Sequence, residues 1–202
     1  MFVPELLSPA GSLKNMRYAF AYGADAVYAG QPRYSLRVRN NEFDLSNLEI
    51  GINEAHQQNK KLYVVSNIAP HNGKVKTYLR DIEPVIAMKP DALIMSDPGL
   101  IMLVRDKWPD MPIHLSVQAN AVNYAAVQFW AKQGLSALFF LESCRYKKSK
   151  KFVHCAQTLS LKCSFTAPCA WPILVAVYCQ VILTSAIQTK VLVPMLAAGA
   201  MM

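Results

Sequence analysis

Three arginines, Arg33, Arg37 and Arg39, fall within seven residues of the stretch AGQPRYSLRVRN, with Tyr34 among them. Forked guanidinium donors suit a phosphate or carboxylate, and an interleaved aromatic suits a ring or base. Arg37 and Arg39 share a face if that segment is extended. Asn67 in SNIAPHN, and Gln118 and Asn120 in VQAN, add neutral amides that both donate and accept hydrogen bonds. Together these residues form a candidate substrate-binding set, and the chemistry they suit is retention of a small acidic ligand. Each has a structural competitor: a solvated loop for the arginines, satisfaction of backbone groups for the amides.

No nucleophile accompanies them. His56, His71, His114 and His154 have no Ser/His/Asp or Cys/His partner that spacing identifies, so no catalytic residue is assigned. His114, in an apolar strand, reads as a hydrogen-bonded core histidine rather than a general base. Asp97-Pro98 reads as a helix N-cap followed by proline at the first helical position. Cys144, Cys155, Cys163, Cys169 and Cys179 include no C-x-x-C pair, so neither a zinc pattern nor an even disulfide framework is expected. G-x-G-x-x-G, P-loop and H-E-x-x-H motifs are also absent from the sequence.

The elements that must position these residues repeat one unit. PELLSP and DAVYAG are apolar runs separated by LKNMRYAFAYG, where Leu13, Met16 and Phe20 share a helical face and Gly23 supplies a stop. LSNLEIGINEAHQQN carries Leu45, Leu48, Ile52 and Ala55 at helical spacing behind Asp44, a candidate N-cap, and leads into KLYVVSNIA. Val75, Tyr78, Leu79, Ile82 and Ile86 mark a helix before DALIMS; GLIMLVRDKW precedes IHLSVQAN; NYAAVQFWAKQG precedes LSALFF. Five helices thus join six strands, at the spacing of an incomplete (β/α)8 TIM-like barrel of about six units. A doubly wound open sheet is the alternative. The strand IHLSVQ favours the barrel, because Ile113, Leu115 and Val117 alternate with His114, Ser116 and Gln118, and a polar inward layer suits a barrel mouth. In either fold the chemistry belongs at the strand ends, where the candidate residues lie.

Charge divides the chain differently. All thirteen acidic residues precede position 143, where fourteen Lys and Arg nearly balance them; the last sixty residues hold seven Lys or Arg and every cysteine. The basic excess of the whole chain therefore belongs to the tail, and overall charge is no argument for nucleic-acid binding. Ser164 to Ile187 is a charge-free run of a length that can cross a bilayer, with Lys147, Lys148, Lys150 and Lys151 upstream. Pro168, Pro172, Thr184 and Ser185 oppose an anchor there. MFVPELL has no basic n-region and carries Glu5 where an apolar run would be needed, so no secretion signal and a cytoplasmic location are expected.

The stretch PELLSPAGSLKNMRYAFAYGADAVYAGQPRYSLRVRNNEF, continued by NIAPHN, PDALIMSDPGLIMLVR and IHLSVQANAVN, resembles the collagenase-like peptidases of unassigned catalytic type. It looks closest to the branch implicated in hydroxylating the wobble uridine of tRNA. The resemblance covers residues 1–137 and implies a barrel-like amino-terminal half, with tRNA as partner. It also implies prephenate-dependent uridine 5-hydroxylation and an iron-sulfur cluster held by cysteines further along. The family's cysteine-bearing signature, VHGALCMAYSGRCLLSGY and its continuation, does not occur here. No cluster ligand is therefore carried over to this chain, and neither a metal nor a cofactor is assigned to it.

A register shift accounts for that absence. Val-His-Gly-Ala-Leu-Cys-Met-Ala written as GTT CAC GGC GCC CTG TGC ATG GCC and read one base later gives Phe-Thr-Ala-Pro-Cys-Ala-Trp-Pro, which is Phe165 to Pro172. The same operation turns acidic GAA codons into AAA and AAG, and glycine codons into valine and alanine. Residues 138–202 are therefore expected to be an out-of-frame, non-native tail. The partial barrel of residues 1–137 would then be a truncated, inactive remnant prone to aggregation. A membrane-tethered binding module anchored by residues 164–187 is the second reading, and a genuine peptidase, a hydrolase, the third.

Overall fold

The structure, a computed structural model, describes residues 5–36, 41–140, 160–163 and 178–179. In chain order the elements are β1 (Leu6–Pro9), α1 (Leu13–Ala21), β2 (Ala26–Gly30), α2 (Leu45–Gln57), β3 (Lys61–Ser66), α3 (Asn72–Ala87) and β4 (Ala92–Met95). There follow α4 (Pro98–Lys107), β5 (Ile113–Leu115), a 3-10 turn (Val117–Ala119), α5 (Tyr124–Lys132) and β6 (Ala137–Phe140). Two short strands, β7 (Ser160–Cys163) and β8 (Tyr178–Cys179), complete the described elements.

Strands β1 to β6 pair in sequence order and all in parallel. A doubly wound sheet needs a point where strand order reverses, and among these six strands there is none. Successive right-handed crossovers then put every helix on the same face, and the sheet curls as an incomplete barrel.

Alternation along each strand builds two cores. Val27, Ala29, Leu62, Val64, Leu93, Met95, Ile113 and Leu115 belong to the large cluster that includes Met16, Leu48, Ile52, Tyr78, Ile82 and Val104 of the helices. Their neighbours Ala26, Tyr28, Tyr63, Val65, Ala92, Ile94 and Phe139 form the smaller cluster within the curl, together with Leu7. A one-residue slip would exchange the two sets, and because both are apolar the hydrophobic pattern alone does not fix register; side-chain size and polar ties must do so.

Two aspartates also pin the register. Asp25 donates its backbone N–H to the Leu6 carbonyl (2.8 Å) while its carboxylate accepts the Leu6 N–H (2.8 Å). Asp91 repeats this with Leu62, at 3.1 and 2.8 Å. Helix starts behave as capping chemistry predicts: Asp44 accepts from Asn47 N, Asp97 from Leu100 N and Asn123 from Ala126 N.

Two expectations change. The sequence alternation carries β5 on through Gln118, but the strand ends at Leu115 and residues 117–119 turn. Ser116 causes this: its N–H donates to Met95 O (2.7 Å), while its carbonyl accepts from Ala119 N (3.0 Å) and closes the turn. An incomplete barrel of six strands would also leave β1 and β6 as its two edges, whereas β6 pairs in parallel with β7 and β1 pairs antiparallel with β8. A ladder needs only backbone N–H and C=O groups, so an exposed edge accepts any extended segment within reach.

Candidate substrate site at the carboxyl ends of the strands

Asn67, the first residue after β3, joins four successive strand-to-helix loops. Its side-chain oxygen accepts the Leu36 N–H of the β2–α2 loop (3.2 Å), and its amide nitrogen donates to Ser116 Oγ after β5 (3.4 Å). Its backbone carbonyl accepts from Ser96 Oγ after β4 (3.0 Å). An asparagine does this because its amide donates and accepts at once, which a carboxylate cannot. Below it, Ser66 Oγ and the buried Tyr78 hydroxyl lie 2.9 Å apart and tie the end of β3 to α3. Burial raises the Tyr78 phenol well above its ordinary pKa, so it stays protonated and hydrogen-bonding.

Gln118 and Asn120 lie beside this junction on the turn after β5 and are exposed. The Gln118 backbone N–H donates to Ser116 Oγ (3.4 Å), and Asn120 adopts the left-handed conformation (φ 52°) that asparagine tolerates. Neither side chain has a hydrogen-bond partner among the described residues, so both amides are available to a ligand.

The arginine stretch behaves otherwise. Arg33 pairs with Asp81 of α3 (3.0 Å) and has φ 70°, so it faces α3 rather than joining the amides. Arg37 and Arg39 lie outside the described residues. Tyr34, fully buried, reaches the same carboxylate through its hydroxyl (2.8 Å), with Thr77 Oγ1 at 3.1 Å. Burial, with help from the Asp81 charge, raises the Tyr34 pKa; the Tyr34 hydrogen bond, then Arg80 and Arg33, hold the Asp81 carboxyl below its usual range. The Tyr34 carbonyl also accepts the Ile68 N–H (3.2 Å), so this latch sets the position of Asn67 one residue earlier.

The structure thus joins Asn67 through Ser116 to the turn that carries Gln118 and Asn120, and sends Arg33 elsewhere. Sequence reading passed over Ser96, Ser116 and Asn41, whose amide donates to Gly30 O (2.7 Å) and closes the β2–α2 loop. The inward phase of Ser116 on its strand was the only signal for any of them. His114 is buried edge-on between Tyr63 and Phe139, with centroids 4.7 and 6.2 Å away. Asp97-Pro98 is the cap and first position of α4.

Among the described residues no three His, Cys, Asp or Glu side chains converge to hold a metal. Cys144, Cys155 and Cys169 lie outside those residues, and Cys163 and Cys179 are described only as strand backbone. No cysteine side chain is among the described residues, and no chemistry is routed through an iron-sulfur cluster. No described helix is long and apolar enough to cross a membrane. Residues 164–177 and 180–187 of the charge-free run are outside the described set.

A one-way parallel sheet with helices outside and hydrogen-bonding side chains gathered at its carboxyl edge is the arrangement of the β/α-barrel enzymes. The sequence profile of Peptidase family U32 matches residues 11–140, and the chain belongs to that family. It is 76% identical over 136 residues to the tRNA hydroxylation protein P of Escherichia coli (strain K12), covering 67% of this chain and 30% of that protein. The Haemophilus influenzae protein of the same name is 76% identical over 135 residues, covering 67% and 29%. The chain thus spans about 30% of the length of these curated relatives. Among solved structures, the U32 peptidase Mk0906 superposes with a TM-score of 0.63 at 12% identity, over 80% of this chain and 68% of that one. DHDPS from Cyanidioschyzon merolae with lysine bound superposes at 0.51 and 9%, over 74% and 54%, a likeness of fold alone.

Proposed function

We propose that residues 1–137 are the amino-terminal strand-and-helix part of a protein acting in 5-hydroxylation of tRNA uridine, with Asn67, Gln118 and Asn120 holding substrate at the strand ends. The observation that carries this reading is the 76% identity over 136 residues to a tRNA hydroxylation protein. The geometry supports it: Asn67, fixed by two loops, bonds Ser116 at the start of the turn that carries two amides without hydrogen-bond partners among the described residues. Such groups read the edges of a base by hydrogen bonds. Arg37 and Arg39, which follow Leu36 in sequence, are the candidate contacts for acidic groups. The partner is tRNA and the compartment the cytoplasm. Prephenate use and an iron-sulfur cluster, which the family resemblance implies for full-length relatives, are not assigned to this chain.

We further propose that residues 138–202 are read out of frame and that the chain by itself has no turnover. In support, the family profile ends at residue 140 and the Phe165–Pro172 string matches a one-base shift of the family signature. Expression of the full chain in a strain lacking its tRNA hydroxylation relatives, with mass spectrometry of tRNA nucleosides, tests this. No 5-hydroxyuridine is expected; any above background refutes inactivity. Binding of purified chain to tRNA, weakened several-fold by Asn67→Ala, tests the site, and unchanged binding would refute it.

Peptidase action, which the family's description favours, is the second reading. Among the described histidines, His56 pairs with Asp91 (3.1 Å) and no serine or cysteine hydrogen bond to His56 or His71 occurs. Hydrolysis of a collagen peptide by the purified chain would revive that reading. A membrane-tethered module would instead be recovered folded from carbonate-washed membranes.

A further inference from the structure

The β2–α2 loop and α3 line a cleft of about 260 Å³ whose residues are distinct from Asn67, Gln118 and Asn120. We propose that this cleft is a second ligand site, for a nucleoside phosphate: a flat N–H-bearing heterocycle against Gln31, Pro32, Leu45 and Pro84, its phosphate on Arg33 and Arg80.

The floor is the first reason. Gln31 is 2% exposed; its backbone N–H donates to Val65 O (2.9 Å) and its amide nitrogen to Asp81 O (3.4 Å). Its side-chain oxygen is buried and has no partner among the described residues. Buried acceptors are nearly always satisfied; Gln31 lines the cleft, so a turn of its amide toward the cleft would present the open oxygen to a donor brought from outside. Pro32, Leu45 and Pro84 supply flat or apolar walls of the kind on which a ring packs.

Charge is the second reason. Arg33 and Arg80 both lean on the single carboxylate of Asp81, each at 3.0 Å, and that carboxylate already accepts from Tyr34. Two guanidiniums on one carboxylate leave a positive charge over, and Lys74, whose ammonium donates to Arg33 O (3.2 Å), adds another. Both arginine side chains are more than half exposed, at 61% and 73%. They can turn to an arriving anion without unburying anything, and guanidinium suits phosphate. Arg33 is also held at φ 70°, a backbone state costly for a side-chain-bearing residue and common at ligand clamps. A simple carboxylate would leave the Gln31 acceptor open, and an apolar ligand would leave the surplus charge unmet. A heterocycle with an N–H and a phosphate meets both.

Titration of the full 202-residue chain with uridine 5′-monophosphate, ribose 5-phosphate and a six-nucleotide single-stranded RNA tests this. The monophosphate should bind at least tenfold more tightly than ribose 5-phosphate. RNA binding tighter than the monophosphate identifies a strand as the source of the nucleotide, and equal or weaker binding a free nucleotide. Arg80→Glu, at an exposed position, should cost tenfold or more. Gln31→Met should cost about fivefold yet raise the unfolding midpoint, because it removes the unpartnered oxygen. Absence of binding by both nucleotide ligands, or parental affinity in Arg80→Glu, overturns the proposal. If Asn67→Ala abolishes binding while Arg80→Glu does not, the nucleotide sits at the strand ends; this site is then refuted and the tRNA reading stands.

Discussion

Replacing Tyr34 by phenylalanine removes one oxygen from the latch between the β2–α2 loop and α3. That oxygen belongs to a fully buried residue and donates to Asp81 Oδ2 at 2.8 Å. A hydrogen bond to a charged acceptor contributes about 1.5–3 kcal/mol. Asp81 keeps Arg33 and Arg80, so its carboxylate is not stranded, and those exposed pairs add little themselves. The ring contact with Tyr78, 5.0 Å between centroids, needs no hydroxyl. A loss of about 1–2 kcal/mol at pH 7 is therefore expected. Its pH dependence follows from Asp81, whose folded pKa is depressed first by Tyr34 and then by Arg80 and Arg33. Stability from a depressed carboxyl is fully present above its unfolded value, about pH 4, and is lost as pH falls through the folded value. Tyr34→Phe lets that folded value rise, so the gap between parent and variant should narrow on acidification. Urea unfolding followed by far-UV circular dichroism at pH 7, 4.5 and 3 measures both quantities. A difference under roughly 0.3 kcal/mol at pH 7, or one unchanged at pH 3, would refute the latch.

Other perturbations probe separate joints. Asp97→Ala removes the cap that accepts Leu100 N at 2.8 Å and should cost about 1 kcal/mol in the same unfolding assay. Gly30→Ala would place a methyl 2.8 Å from Ser35 Oγ and 3.1 Å from its Cβ; about 1–3 kcal/mol of destabilisation is expected, with disturbance of the β2–α2 loop visible by limited proteolysis. Asn120→Ala forces a β-carbon residue less tolerant than asparagine into φ 52° and also removes a free amide. It should weaken tRNA binding while costing about 1 kcal/mol of stability, whereas Asn120→Gly should weaken binding alone. Sequencing the gene around the codons for Ser136 to Phe140 should reveal an open continuation, in the neighbouring register, that encodes the glycine- and cysteine-bearing signature. Its absence would remove the out-of-frame reading and favour the anchor.

The repeat of strand and helix was written in periodicity. Leu48, Ile52 and Ala55 had to share a helical face because nothing else buries them together, and Asp44 and Asp97 had to cap because their oxygens fit orphan N–H groups. The course of β5 was less apparent. Alternation through Gln118 looks like strand until the Ser116 N–H is spent on Met95 O and its carbonyl on Ala119 N. Spacing alone grouped Arg33 with Asn67, yet Asp81, forty-eight residues further on, holds Arg33 against α3. Asn41 and Ser96 gave no signal, since a side chain that serves a distant carbonyl leaves no local pattern.

By itself the sequence determined the order of the elements, their caps, the two apolar faces of each strand and the break in composition near residue 140. These depend on neighbours within a turn or two of chain, where covalent geometry sets the spacing. The closing of the curl, the junction at Asn67 and the cleft behind Gln31 were decided only when parallel pairing brought the ends of β2, β3, β4 and β5 side by side. Long-range hydrogen bonds have no period along the chain, so only the folded arrangement chooses among the partners that side-chain chemistry allows.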